Sequence, residues 1–363
     1  MAKIKTIGIL TGGGDCPGMN AVIRAAAKTA INDYSLKVIG FKDGYEGLVE
    51  KYYRELKLAD ASGILTLGGT ILGTSNQANP FAYAVKEGEK IVYRDLSQKA
   101  LDNLRDLGIE ALICIGGDGT LTSARDLFRR GVKVVGVPKT IDNDLSGTDL
   151  TFGFDSALST ATEAIDKIHT TAISHHRVMV IEVMGRYAGW LALEAGLAGG
   201  GDIILIPEIP YDIGKVCQRV FKREKQGKRF SIVVVAEGAH PKGGKVVVKR
   251  RIGTSPDSVR LGGIGNQVAG EIEKRTGIAT RVTVLGHLVR GGTPTAFDRI
   301  LATRYGSEAV HMLMRAKFGC MVSLRGQDLV SVSLEEAVGK LHTVPSNSPL
   351  IKLGRSLGIC MGN

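Results

Sequence analysis

Residues 3–24 read KIKTIGILTGGGDCPGMNAVIR: a β-branched run, Thr11 and three consecutive glycines, then a stretch with helical spacing. The same order recurs along the chain. The runs KIKTIGIL, LKVIGF, IEALICIG, VKVVGVP, HRVMVIEVM, DIILIPE, FSIVVVAEG and TRVTVLG each lead into glycine or a polar turn. Continuous apolar runs of this length are what parallel strands covered on both faces look like. Helical spacing fills the gaps. From Asp155 to Thr171, for example, Ala157, Leu158, Ala161, Ala164, Ile165 and Ile168 fall near i, i+3, i+4 and i+7. Strands alternating with helices predict an α/β protein built on doubly wound parallel sheets with right-handed crossovers.

At about 150 residues per domain, 363 residues predict two domains or three. No Pro/Ser linker, low-complexity tract or short repeat marks a boundary, which is expected near Asp144, with the chain crossing back around Leu261. Hydrophobic residues at 44% and charged residues at 23% exclude a disordered chain. Aromatics at 5%, with Trp190 the single tryptophan, would supply base-stacking platforms thinly. Five well-separated cysteines (Cys16, Cys114, Cys217, Cys320, Cys360) never form CxxC, which argues for a reducing cytoplasm and against a disulfide framework or zinc module. No apolar run reaches about 18 residues, and the N-terminus enters a strand at once, so neither a membrane span nor a signal peptide is expected.

A net charge of +11 calls for an anionic partner or a solvated basic surface. The basic residues are dispersed. Their densest cluster (Lys222, Arg223, Lys225, Lys228, Arg229) reads as a helix-to-loop face, which disfavours nucleic acid, and charge alone does not choose among a membrane surface, phosphorylated small molecules and no partner at all.

In doubly wound sheets ligands bind beyond the carboxyl ends of the strands, so the residues just after each run carry the functional information. Thr11–Arg24 joins strand to helix through Gly12, Gly13 and Gly14; bare backbone N–H groups and a helix N-terminus there suit a phosphate. It is neither a Walker A loop nor a regular GxGxxG, and alone it also reads as a tight βα turn. GGDGT, residues 116–120, repeats the logic, with Asp118 suited to Mg²⁺ or simply to capping the next helix. PKTIDND, residues 138–144, sets Asp142 and Asp144 at i and i+2 beside Lys139. One carboxylate can accept a hydroxyl proton and the other can orient the acceptor or support a metal, although such a stretch also reads as an Asx-rich turn. Arg177, Arg186, His287 and Arg290 add an anion-binding inventory. The adjacent His175 and His176 do not converge and read as a surface helix end.

The ordered set GGGDCPGMN, GGTILGTS, IGGDGT, PKTIDND, HHR, MGRYAG, AEG and TVLGHLVRGG resembles the phosphofructokinase family from about Ile7 to Tyr305. GGDGT alone is shared with NAD and lipid kinases; PKTIDND, MGRYAG and LGHLVRGG together are specific. The resemblance implies two Rossmann-like parallel-sheet domains with the active site in the cleft between them. It assigns residues 1–144, with about 261–310, to the phosphoryl donor, and 145–260 with the C-terminal segment to the sugar phosphate. It implies transfer from ATP, with Mg²⁺, to the 1-hydroxyl of fructose 6-phosphate. Carried over, Asp142 is the general base, with Thr140, Lys139 and Asp144 beside it, and Asp118 is the magnesium aspartate. Gly14, Gly117, Asp118, Gly119 and Thr120 line the donor; Arg177, Met184, Gly185, Arg186, Glu237, Arg281, His287 and Arg290 match substrate positions. Arg186 serves the transferring phosphate. Arg177 and Arg281 are expected from a neighbouring subunit, so the resemblance implies a homodimer or homotetramer in the cytoplasm.

Donor choice rests on a mixed pattern. Pyrophosphate-dependent relatives carry Asp after the magnesium aspartate and Lys before the TIDND threonine; this chain has Gly119 and Lys139. A carboxylate at position 119 would repel and crowd the nucleotide's α-phosphate, whereas glycine leaves room, so ATP is favoured and pyrophosphate is the alternative. Asn76 stands where the family often has an arginine that reaches the donor phosphates.

Overall fold

The computed structural model describes residues 4–88, 90–251 and 259–363. It opens with β1 (Thr6–Thr11), α1 (Met19–Tyr34), β2 (Lys37–Phe41), α2 (Tyr45–Glu50), β3 (Tyr53–Glu55), β4 (Tyr83–Glu87) and β5 (Lys90–Arg94). Next come α3 (Ser97–Asp106), β6 (Ala111–Gly116), α4 (Asp118–Arg129), β7 (Val134–Pro138), α5 (Phe154–His175), β8 (Val178–Val183) and α6 (Trp190–Ala198). The middle continues through β9 (Ile203–Leu205), α7 (Ile213–Lys225), β10 (Ser231–Ala236), β11 (Val248–Arg251), β12 (Val259–Leu261), α8 (Ile264–Thr276) and β13 (Thr280–Val284). Beyond the 3₁₀ turn Gly286–Arg290 lie α9 (Ala296–Met314), β14 (Cys320–Arg325), β15 (Asp328–Ser333), α10 (Leu334–Ala337) and α11 (Pro349–Ser356).

Two parallel sheets carry the fold. The larger has the order β15-β14-β7-β6-β1-β2-β3, parallel throughout its interior and closed by antiparallel β3 and β15 at the edges. The smaller, β13-β8-β10-β9, is all parallel. Successive strand residues serve opposite faces. Ile113 and Ile115 of β6 join one cluster while Leu112 and Cys114 join another; Ile232 and Val234 of β10 part in the same way from Val233 and Val235. That double burial is why these strands read as unbroken apolar runs.

The largest cluster is shared by both sheets. It gathers Ile7, Ile9 and Ile113 of the larger with Ile181, Val183 and Val234 of the smaller, and α5 threads it with Ala157, Ala161, Ile165 and Ile168. Helices α1 and α9 close part of this layer so tightly that a Cβ on Gly306 would lie 2.4 Å from the Val22 carbonyl oxygen. The two halves are therefore joined by one apolar layer, and the carboxyl ends of both sheets meet across a cleft, where Arg290 after β13 reaches the Asp15 carbonyl after β1.

Three features depart from the sequence expectations. The chain does not cross back around Leu261: β13 pairs with β8 in the smaller sheet, and the return comes only with α9 and β14. The C-terminal segment is divided, because β14 and β15 complete the larger sheet whereas α11 packs on α6. Pairing partners are chosen by long-range contacts that a local pattern does not carry. Part of the expected second domain, residues 252–258, lies outside the described residues, as does the start of the first run, residue 3. Finally, Arg223 is not a solvated charge. It pairs with Asp202 at 2.6 Å, both largely buried, and lies over the Phe230 ring. All five cysteines are free thiols, Cys16, Cys114 and Cys217 buried and the other two partly so. Among the described residues no helix is long and apolar enough to cross a membrane.

Candidate active site

The glycine loops after β1 and β6 lie against each other. Gly12 N–H donates to the Ile115 carbonyl at 2.9 Å, and a Cβ on Gly12 would stand 2.6 Å from Thr120 Oγ1. Gly13, at φ +79°, is fixed from the other side by the Ser75 carbonyl and by Thr74 Oγ1, which donates to its oxygen at 2.7 Å. No side chain fits at Gly12, and its N–H and that of Gly13 are spent on holding the loops together, so the N–H groups a phosphate could use are those of the first turn of α4. Gly117 and Asp118 open α4. Gly119, its second residue, is exposed, and a Cβ there would meet nothing within 4 Å. Asn76 is exposed beside this region.

Strand β7 delivers the PKTIDND segment to the same place. The Lys139 side chain is 4% exposed and its Nζ donates to the Gly14 carbonyl, tying this segment to the first glycine loop. Burial pushes the Lys139 ammonium below its usual pKa. Thr140 Oγ1 accepts the Asp142 N–H at 3.1 Å and donates to Asp144 Oδ1 at 3.0 Å, so the loop is folded on its own hydroxyl. Asp142 Oδ1 is buried and has no hydrogen-bond partner among the described residues. Burial, reinforced by the Asp144 carboxylate, raises Asp142 to about 7, against the opposing pull of Arg290 and Lys139. Asp144 is raised too, first by burial, with the Asp118 charge adding to it. Asp118 accepts the Gly339 N–H at 2.9 Å on one carboxylate oxygen.

The smaller sheet supplies the facing wall. Met184, Gly185 and Arg186 come directly after β8, Glu237 after β10, and the 3₁₀ turn with His287 and Arg290 after β13. The Glu237 charge adds, after burial and Asp144, to the upward push on Asp142. The turn at Gly238 packs so closely on the β8 loop that a Cβ would lie 2.0 Å from the Arg186 carbonyl oxygen. The Arg186 guanidinium lies 4.7 Å from the Tyr187 ring. Arg290 crosses to the other half, where its Nη1 donates to the Asp15 carbonyl at 3.2 Å. His287 is exposed.

Arg177 and Arg281 are not brought into this group. They sit at the amino ends of β8 and β13, about 20 Å and about 10 Å of strand from the carboxyl ends. Arg281 is instead exposed and 3.6 Å from Glu273. His175 and His176 end α5, exposed. The sequence motifs do not reveal the contribution of residues 338–344, whose Gly339 holds Asp118. Their contacts are largely through the backbone, so no residue pattern announces them. Among the described residues no three His, Cys, Asp or Glu side chains converge as a metal cage. Asp118, in the first turn of α4, and Asp144, which feels its charge, are the carboxylates here that could hold Mg²⁺, a cation usually bound by one or two carboxylates with substrate phosphates completing its shell.

Comparison with known proteins identifies the family. A family model described as phosphofructokinase matches residues 6–313. A Clostridium perfringens protein named ATP-dependent 6-phosphofructokinase 2 is 54% identical over 363 residues, covering 99% of each chain. A Chloroflexus aurantiacus protein named ATP-dependent 6-phosphofructokinase is 52% identical, covering 100% of this chain and 99% of its own. Among solved structures, Pichia pastoris phosphofructokinase in the T-state superposes with a TM-score of 0.77 at 36% identity. It covers 93% of this chain, which spans only 36% of the fungal one. With the family model matching most of its length and the bacterial relatives aligned from end to end, this chain belongs to the phosphofructokinase family.

Proposed function

We propose that this chain transfers the γ-phosphoryl group of ATP to the 1-hydroxyl of fructose 6-phosphate, giving fructose 1,6-bisphosphate and ADP in glycolysis. The observation that carries the reading is the Asp142 carboxyl, buried beside the glycine loops with an oxygen that has no partner among the described residues and a pKa raised to about 7. Its proton affinity is thus matched to neutral pH, as general-base catalysis requires. In this reading Asp142 takes the proton of the attacking hydroxyl, while Thr140 and Asp144 fix its orientation. Phosphoryl transfer asks the protein mainly for positioning and for positive charge around the moving group. Lys139, Arg186 and Arg290 supply that charge, and the N–H groups of Gly14, Gly117, Gly119 and Thr120 hold the donor. Asp118 holds Mg²⁺, which offsets the charge of the donor phosphates when bound. Met184, Gly185, Glu237 and His287 bind the sugar.

The larger-sheet half is assigned to the donor and the smaller-sheet half to the sugar phosphate. Arg177 and Arg281 reach the sugar phosphate of a neighbouring subunit's site, so the active species is a homodimer or homotetramer. The free cysteines fit a cytoplasmic enzyme. Pyrophosphate as donor is the second reading, suggested by Lys139; the relatives at 54% and 52% identity are named for ATP. Incubation with fructose 6-phosphate, ATP and Mg²⁺ is expected to yield fructose 1,6-bisphosphate, and none after chelation with EDTA. A different phosphorylated position, or product without Mg²⁺, would overturn the assignment.

A further inference from the structure

The stretch 338–344 leaves the larger-sheet half after α10 and runs between the two walls of the cleft. Along seven residues it makes contacts on both sides. On one side Gly339 N–H reaches Asp118, Leu341 bridges Leu145, and His342 N–H donates to the Asp144 carbonyl at 2.8 Å. On the other, Trp190 Nε1 donates to the His342 carbonyl at 2.8 Å, and Val344 N–H donates to Glu208 Oε1 at 2.8 Å. The same Glu208 oxygen accepts the Gly189 N–H at 3.0 Å, at the end of the Met184–Gly189 loop. The strap therefore touches the metal aspartate directly and is linked through Glu208 to the loop carrying the arginine of the facing wall.

The side chain that turns back onto the walls is His342. The imidazole lies against the Trp190 ring, centroids 4.8 Å apart, and Nδ1 is 3.0 Å from the Asn143 carbonyl oxygen. A carbonyl can only accept, so Nδ1 carries the proton. Asn143 stands between Asp142 and Asp144 in the left-handed region, φ +50°. Its own side chain is clamped by the Thr151 N–H at 3.0 Å. The residue is thus held from two directions: Thr151 fixes the side chain and His342 fixes the peptide that links it to Asp144. Rotation of that peptide would swing the two flanking carboxylates relative to each other.

We propose that His342 is a positioning residue, donating from Nδ1 to the Asn143 carbonyl so that the strap 338–344 sets the orientation of Asp142 and Asp144 against the opposite wall. The proposal rests on the phosphofructokinase reading of the cleft. The side chain touches neither reacting group, so its effect belongs to kcat rather than to substrate affinity. Misplacement of a base by about 1 Å costs on the order of a hundredfold in rate.

Three variants separate donor from ring. His342→Phe keeps a ring on Trp190 and loses the donor; His342→Asn keeps an N–H close to the Nδ1 position and loses the ring; His342→Ala loses both. Initial rates with fructose 6-phosphate and ATP are expected to show kcat lowered about ten- to a hundredfold in the Phe and Ala variants. KM values should stay within about threefold, and the Asn variant should recover most of the rate. Amide exchange across residues 140–145 reads the strap independently of turnover and is expected to quicken in Phe and Ala but not in Asn. A His342→Phe variant with normal kcat and normal exchange, or an Asn variant as slow as Phe, would overturn the proposal. A wild-type protein inactive with these substrates, with exchange still tracking the donor, would overturn the assigned reaction and leave the positioning role standing.

Discussion

A single carboxylate introduced at Gly119 tests the basis of donor choice. The position is exposed, a Cβ there meets nothing within 4 Å, and it is the second residue of α4. An acidic side chain in the first turn of a helix is tolerated or mildly stabilising, by about 0.3–1 kcal/mol, so Gly119→Asp should fold normally. Its effect must then come from the ligand. Two unit negative charges about 5 Å apart repel by about 3 kcal/mol at an effective dielectric of 20 and by about 0.8 kcal/mol in bulk water. For a partly solvated loop the cost with ATP lies between these limits, roughly four- to two-hundredfold in kcat/KM. Pyrophosphate lacks the nucleotide's α-phosphate and should be affected far less. The assay is initial rate with fructose 6-phosphate and Mg²⁺, wild type and variant, each with both donors. Equal loss with both donors, or no loss with ATP, would refute the reasoning.

Three further outcomes are expected. Asp142→Ser should lower kcat by about two to four orders of magnitude with fructose 6-phosphate affinity largely kept, as befits a group that acts in the transition state; near-normal turnover would remove it as the base. Because the Asp142 pKa is raised in the folded protein, turnover should climb with pH through about 7, and Asp144→Asn should move that limb to lower pH by removing a like charge. The stability contribution runs the other way, weakening as pH rises from the unfolded value near 4 to about 7, and a pH series of thermal midpoints checks the sign. Gly12→Ala, whose Cβ would press on Thr120 at 2.6 Å, should cost about 1–3 kcal/mol and lower the thermal midpoint by several degrees; an unchanged midpoint would contradict the packing.

The parallel strands were legible because burial on both faces leaves them unbroken and apolar. Strands β14 and β15 were not, for Ser323, Ser331 and Ser333 interrupt them, and only the period-two alternation of Val330–Ser333 hints at an edge. Strand β5 is exposed at every residue, so its Ile91, Val92 and Tyr93 carry no core signal. The placement of β13 depends on its partner β8, about a hundred positions away in the chain, which no local pattern encodes. At the site, residue types such as Asp118, Asp142 and Arg290 could be read from their motifs. The remoteness of Arg177 and Arg281 from this chain's cleft could be read as well, since both open their runs at the amino ends of strands, away from the ligand-binding carboxyl ends. His342 sits in a segment with no motif, and only the folded chain brings it onto Asn143.

The measurement that tests the central claim most directly is the initial rate of the wild-type protein with fructose 6-phosphate and Mg²⁺, ATP against pyrophosphate in otherwise identical assays. A strong preference for ATP, with fructose 1,6-bisphosphate as product, is the predicted result. A preference for pyrophosphate would mean that Lys139 outweighs Gly119, and no rate with either donor would contradict the assigned reaction.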